Sequence, residues 1–265
     1  MHSGSAAFSA LLVLISASAY AQEGSPAGPV PPALLAQRRA ALLQQLGDAV
    51  VVLRSARVQD LESFPQATDL RQDDDFFYLT GLETADAWLV LEAHASVPDQ
   101  VTLYVPDRDA QEEQWTGSRL GARAAAELSG IADVERSEAA PAAIRKLLAA
   151  GRVLYVKLPA SAQEHCSGLD GTRGEQCTWQ FLRPLEPAAV ELRDTRLAIA
   201  PLRLIKDADE LGRLRRAADI TAAALRSAFQ TSKPGMWEYE IEAGIERVFR
   251  ASGAERVGFP SIVGS

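Results

Sequence analysis

Acid–base or metal chemistry in this chain has few histidines to draw on, only His2, His94 and His165. Such chemistry must use carboxylates or lie elsewhere. Asp73-Asp74-Asp75 is the densest carboxylate run. In an extended segment, alternate side chains point to opposite faces, so the three would not converge on one cation, and a loop or turn role is expected. Glu238, Glu242 and Glu246 recur every fourth residue. Placed opposite Ile241 and Ile245, they read as the solvated face of a helix rather than a metal cluster. Arg213, Arg215 and Arg216 read as solvated or salt-bridged cations, not a nucleic-acid patch. Cys166 and Cys177 are separated by ten residues in a Gly-rich stretch beside His165. A disulfide, a weak metal site and two free thiols are the readings, with the disulfide favoured if the chain is exported. No G-x-G-x-x-G, P-loop, H-E-x-x-H or G-x-S-x-G segment is present.

Composition narrows the field further. The 265 residues are 47% hydrophobic and 23% charged, with a net charge of −8. That is globular composition, long enough for one large domain or two ordinary ones. The acidic balance argues against sequence-independent nucleic-acid binding. With no Asn in the chain, N-glycosylation is excluded.

The first 21 residues read as an export signal: an apolar run, Ala10 to Ile15, then Ala19-Tyr20-Ala21 as a small-x-small cleavage site before Gln22. The run is too short to span a bilayer. The n-region has no Lys or Arg, and a non-structural tail is the alternative. A Pro-rich tether follows over residues 22–33.

Beyond it, the pattern predicts a helix from Pro32 to Leu46 and a buried strand from Ala49 to Leu53. Asp75 to Thr80 is aromatic and β-prone. Ala87 to Leu91 and Val101 to Val105 are expected as adjacent strands. Helices are expected near Ala110 to Trp115, Ala122 to Leu128 and Ala140 to Ala149, and a strand over Val153 to Lys157. Alternating strands and helices define an α/β layer domain, bounded at residues 34–196.

A second unit is read from residue 201. Asp207 with Glu210 forms a capping box, and a helix runs to about Gln230 with Leu211, Leu214, Ala218, Thr221, Leu225 and Phe229 on one face. Lys233-Pro234-Gly235 interrupts it. A second helix follows, with Trp237, Ile241, Ile245, Val248 and Phe249 expected inward, and Val257 to Val263 is expected to begin a strand. Two helices and one strand give those apolar stripes no sheet, so the unit reads as the incomplete start of a larger domain.

Three segments together resemble the aminopeptidase P branch of the creatinase/prolidase metallopeptidases. Residues Leu70 to Gly81, L-R-Q-D-D-D-F-F-Y-L-T-G, are similar to F-R-Q-x-x-D-F-x-Y-L-T-G, with Leu70 in place of Phe. Glu112-Glu113-Gln114-Trp115-Thr116-Gly117, with Arg119 and Gly121 after it, is similar to E-x-W-x-G-x-R-x-G. Ile205-Lys206 to Glu210, then Lys233-Pro234-Gly235-Met236 with Glu238, then Ser261 to Ser265, resembles the opening of the catalytic domain.

The resemblance implies a creatinase-like N-terminal domain, a mixed sheet flanked by helices, followed at 201–265 by the start of a pita-bread α+β domain. It implies a homo-oligomeric peptidase with two Mn²⁺ per site, removing an N-terminal residue that precedes proline. Prolidase, which takes dipeptides, and a non-catalytic peptide- or protein-binding module are the alternatives. The family's ligands, two Asp, one His and two Glu, lie downstream of the S-I-V-G-S segment, so no catalytic or metal residue is expected in this chain. Trp115 is a candidate for a substrate channel, or else a core residue. Phe259 matches a position bordering the substrate pocket, or else is a core aromatic.

Overall fold

The computed structural model describes residues 28–56, 72–116, 118–158, 190–259 and 261–264. The export signal, the first half of the Pro-rich tether (residues 22–27), Cys166, Cys177 and His165 lie outside the described residues.

The fold is organised around β1 (Ala49–Arg54), whose run A-V-V-V-L is buried throughout. A strand apolar at every position must be covered on both faces. Here it sits inside a six-stranded mixed sheet of order β4-β3-β2-β1-β5-β6. Its neighbours are β2 (Trp88–Ala93), antiparallel with Val51 opposite Leu91, and β5 (Val153–Val156), parallel with Val50 opposite Leu154. β3 (Gln100–Val105) pairs antiparallel with β2. The expected adjacent strands are therefore present. Two further strands close the edges: β4 (Asp133–Arg136), parallel to β3, and β6 (Leu192–Asp194), parallel to β5.

The period-2 alternation sends side chains to two separate cores. Val51, Leu53, Leu89, Leu91, Leu103 and Val105 face one cluster. It is covered by α1 (Pro32–Leu43), α2 (Asp74–Thr80) and α6 (Thr195–Leu204), which contribute Leu42, Phe76, Leu79 and Ile199. Val50, Val52, Val90, Leu154 and Val156 face the other cluster. There α5 (Ala140–Leu148) lays down Ala140, Ile144 and Leu148, spaced i, i+4, i+8. Two short helices, α3 (Ala110–Thr116) and α4 (Ala122–Ser129), connect β3 to β4. The mixed sheet flanked by helices expected from the sequence is what folds.

Residues 75–80, read as β-prone, are helical. Asp73 is the N-cap, its Oδ1 accepting the amides of Asp75 and Phe76 at 3.0 Å each. Asp74 and Asp75 occupy the first turn, where the helix dipole favours acids. Gly81 ends the helix at φ 68°, and a Cβ there would lie 3.0 Å from Leu35 Cδ1. Both the left-handed backbone and the close approach require glycine.

α1 also carries two buried cations on its inner face, Arg38 and Arg39. Arg39 Nη1 donates to Leu79 O at 2.7 Å and Ser129 O at 3.0 Å, so one guanidinium ties down the last turns of α2 and α4. Burial pushes its pKa down to about 10, which still leaves it charged at neutral pH.

The second unit is a helical hairpin, α7 (Ala208–Thr231) against α8 (Glu238–Ala251). The capping box of α7 is formed as read, with the Glu210 amide donating to Asp207 Oδ1 at 2.9 Å and the Asp207 amide to Glu210 Oε2 at 3.0 Å. Two expectations fail. Residues 257–263 form no strand among the described residues. Trp237 is not inward: it precedes α8, is 67% exposed and stacks on Tyr239 at a centroid distance of 6.3 Å.

Gln72 joins three of these elements. Its Oε1 accepts from the amides of Ala56 and Asp73, both at 2.8 Å, and its Nε2 donates to Leu82 O at 3.2 Å and Thr84 O at 2.8 Å. Replacing Gln72 with Ala strands buried backbone groups and should cost about 3 kcal/mol in urea unfolding. A midpoint close to wild type would show that water replaces those bonds freely.

Candidate functional site

The acidic run is not extended but forms the start of α2. Each carboxylate has its own task. Besides capping α2, Asp73 receives Lys157 Nζ at 2.9 Å. Asp75 receives Arg203 Nη1 at 2.5 Å, and Asp74 stands 3.7 Å from Arg203 Nη2. Burial first, and then the Asp73 charge, push the Asp75 carboxyl above the usual range against the opposing pull of Arg203. The run serves as a helix start and charge anchor rather than as an open loop.

The second motif folds into a pinned turn. Glu113, on α3, accepts a bidentate pair from Arg108, Nε to Oε1 and Nη2 to Oε2, both at 2.7 Å. Its Oε1 also accepts the Arg119 amide at 3.1 Å. Gly121 completes the arrangement, since a Cβ there would lie 3.1 Å from Arg108 Cδ. Glu113, the Arg119 amide and Gly121 of this motif are thus brought together beside Arg108. Trp115 lies within that turn on α3, with its side chain outside the description.

Phe259 is not a core aromatic: it is 70% exposed, as are other apolar side chains of the hairpin, Phe229 at 81% and Ile262 at 86%. The expected apolar face of α7 is formed, yet Leu211, Leu214, Leu225 and Phe229 lie open. Glu238 is exposed, and Glu246 Oε1 accepts from Ser261 Oγ at 2.8 Å. His94 sits at the far end of β2, with Nε2 3.5 Å from Glu92 Oε2 and Nδ1 4.0 Å from Asp48 Oδ1. Among the described residues, no group of three or more His, Cys, Asp or Glu could hold a metal ion, so they do not supply a dinuclear ligand set. No described helix is long and apolar enough to cross a membrane.

Sequence reasoning missed the buried arginines of α1. A signal existed: Arg38 and Arg39 interrupt a helix whose inner face is otherwise Leu.

Sheet order, the Gln72–Gly81 segment and the Glu113 turn together define a creatinase-like N-terminal domain leading into a helical hairpin. Comparison with known proteins agrees. Residues 35–155 match the aminopeptidase P N-terminal domain, and residues 212–265 match metallopeptidase family M24. The chain belongs to the aminopeptidase P branch of that family. The Xaa-Pro aminopeptidase of Escherichia coli (strain K12) is 31% identical over 229 residues, 86% of this chain and 51% of that protein. That of Haemophilus influenzae is 28% identical, covering 86% and 49%. Among solved structures, a variant of Escherichia coli aminopeptidase P is similar with a TM-score of 0.70 at 25% identity, covering 86% of this chain and 51% of that one. Proline aminopeptidase P II from Yersinia pestis gives a TM-score of 0.68 at 26% identity, covering 85% and 51%. The chain spans about half the length of the curated relatives it matches.

The Glu113 turn makes a titration prediction. The Arg108 hydrogen bonds first, and then the Arg119 amide, lower the Glu113 pKa from 4.5 to about 2. A depressed folded-state pKa means that the stabilisation is complete above the ordinary value and is lost as pH falls through about 2. The Arg119 amide resonance should follow this titration in NMR, with a midpoint near 2. A midpoint at the ordinary glutamate value would mean that the clamp is open in solution.

Proposed function

We propose that this chain forms the N-terminal part of a metal-dependent Xaa-Pro aminopeptidase, hydrolysing the bond between an N-terminal residue and proline. The observation that carries the reading is one chain holding the N-terminal-domain match and the M24 match in order, on a fold similar to aminopeptidase P. Proline makes the scissile bond a tertiary amide with fixed φ and no N–H, so specificity must come from the shape around the ring. Trp115, two residues beyond Glu113 on α3, and the exposed Phe259 are the substrate-proximal residues in this reading.

The metal half of the chemistry is assigned to the part of the relatives' length that this chain does not span, because the described residues bring no ligand set together. Mn²⁺ is the proposed ion, two per site, in keeping with hard oxygen ligands. Homo-oligomer formation belongs to the same reading. Export to the periplasm or outside the cell is proposed on the apolar run and small-residue site before Gln22.

A second reading, a peptide-binding module that needs no metal, is favoured by that same lack of a ligand set. Residues 22–265 expressed alone should bind no stoichiometric Mn²⁺ and should not cleave an X-Pro peptide. Metal analysis after dialysis and a peptide assay check this. Two tightly held ions per chain, or turnover, would overturn the assignment of the ligands. A longer product of the same gene should bind Mn²⁺ and cleave X-Pro peptides. One that binds the peptide without metal or cleavage would establish the binding module.

A further inference from the structure

Neither apolar cluster of the sheet unit contains a residue beyond Leu202. The helical hairpin is instead joined to the sheet by charge. Arg38, on the inner face of α1, is the centre of that junction. Its Nη1 donates to Tyr78 O at 3.2 Å, its Nη2 to Asp207 Oδ2 at 2.8 Å, and its Cζ lies 4.4 Å from the Tyr78 ring centroid. Glu210 stands 3.8 Å away. The Arg38 side chain is only 7% exposed, so its charge is compensated by the first turn of α7 and hardly by water. Two further bonds join the same two parts: Arg213 Nη2 donates to Gly28 O at 2.8 Å, and Arg256 meets Glu83 Oε1 at 2.5 Å.

Two positive features face each other here, the guanidinium and the N-terminal end of the α7 dipole. Two acids at that helix start, Asp207 and Glu210, stand against the guanidinium, while Asp209 pairs with Arg213. Asp207 divides its two oxygens: Oδ1 caps the helix and Oδ2 receives Arg38. Burial alone would raise its pKa, but the Arg38 hydrogen bond and charge, with the Glu210 amide, hold it below the usual carboxylate value. If α7 moved away, a buried cation would be left without a counter-charge, which is strongly unfavourable.

We propose that Arg38 and Asp207 form an electrostatic latch that sets the direction of α7, and with it the α7–α8 hairpin, against the sheet. Arg38 is thereby a positioning residue for the segment that matches family M24. In its catalytic consequence the proposal rests on the aminopeptidase reading above; in its structural content it does not.

Asp207→Asn tests it with little disturbance to the helix. The amide oxygen still caps α7, while the other position becomes an NH₂ that cannot accept from Arg38. Spin labels at the exposed Val97, between β2 and β3, and at the exposed Ala243 on α8 would be attached by non-cysteine chemistry. Their distance distribution should broaden clearly in Asp207→Asn. Amide hydrogen exchange over residues 208–214 should speed up about tenfold, while β1 and β2 stay unchanged. An unaltered distribution overturns the latch, as does equal loss of protection in the sheet strands, which would mark a general stabilising contact. Should Asp207→Asn fail to fold, Arg38→Lys keeps the charge but cannot reach Tyr78 O and Asp207 together. It should broaden the same distribution, and an unchanged one again overturns the proposal. None of these readouts needs X-Pro cleavage, so a failure of the aminopeptidase reading is seen separately.

Discussion

Burial of β1 on both faces is the constraint that shapes the rest. Val50 and Val52 point into one core and Val51 and Leu53 into the other, so neither face of the sheet can be left to water. Covering them takes α5 on one side and α1, α2 and α6 on the other. The functional motifs are consequences of that packing. Gln72 and Asp73 start α2 where the chain crosses the sheet, and Gly81 ends it against Leu35. What resembles a run of hallmark residues is, residue by residue, a set of caps, a turn and an amide hub.

The helical hairpin obeys a different rule. Its helices pack on each other, and its ties to the sheet unit are hydrogen bonds and ion pairs, Arg38 to Asp207, Arg213 to Gly28 O and Arg256 to Glu83, rather than a shared core. Apolar burial is tolerant of small rotations, whereas a guanidinium donating to a carbonyl and a carboxylate at once is not. A junction made this way fixes an angle more than it adds adhesion.

The sequence made some of this legible and hid the rest for physical reasons. β1 announced itself as a continuous β-branched run, β2 and β3 as neighbours across a turn, and α7 through Asp207 and Glu210. α2 was misread because Phe76, Phe77 and Tyr78 are good strand residues. The deciding cues were local and polar, Asp73 as cap and Gly81 as stop. β4 and β6 are short and charged, with pairings made to distant strands, so no periodicity betrays them. The roles of Arg38 and Arg39 depend on what tertiary packing brings to α1. At the candidate site, Glu113 and Gly121 could be seen as a motif, but their common partner Arg108 could not.

The two edge strands have a consequence for how copies of this protein can meet. β4 carries Asp133, Glu135 and Arg136, and β6 spans three residues, with Arg193 drawn across Tyr155 towards Glu191. Short, charged rims of this kind discourage a sheet from continuing into a neighbour. Assembly by strand addition is thus disfavoured at both rims of the described sheet, which keeps the domain from becoming the seed of a fibre.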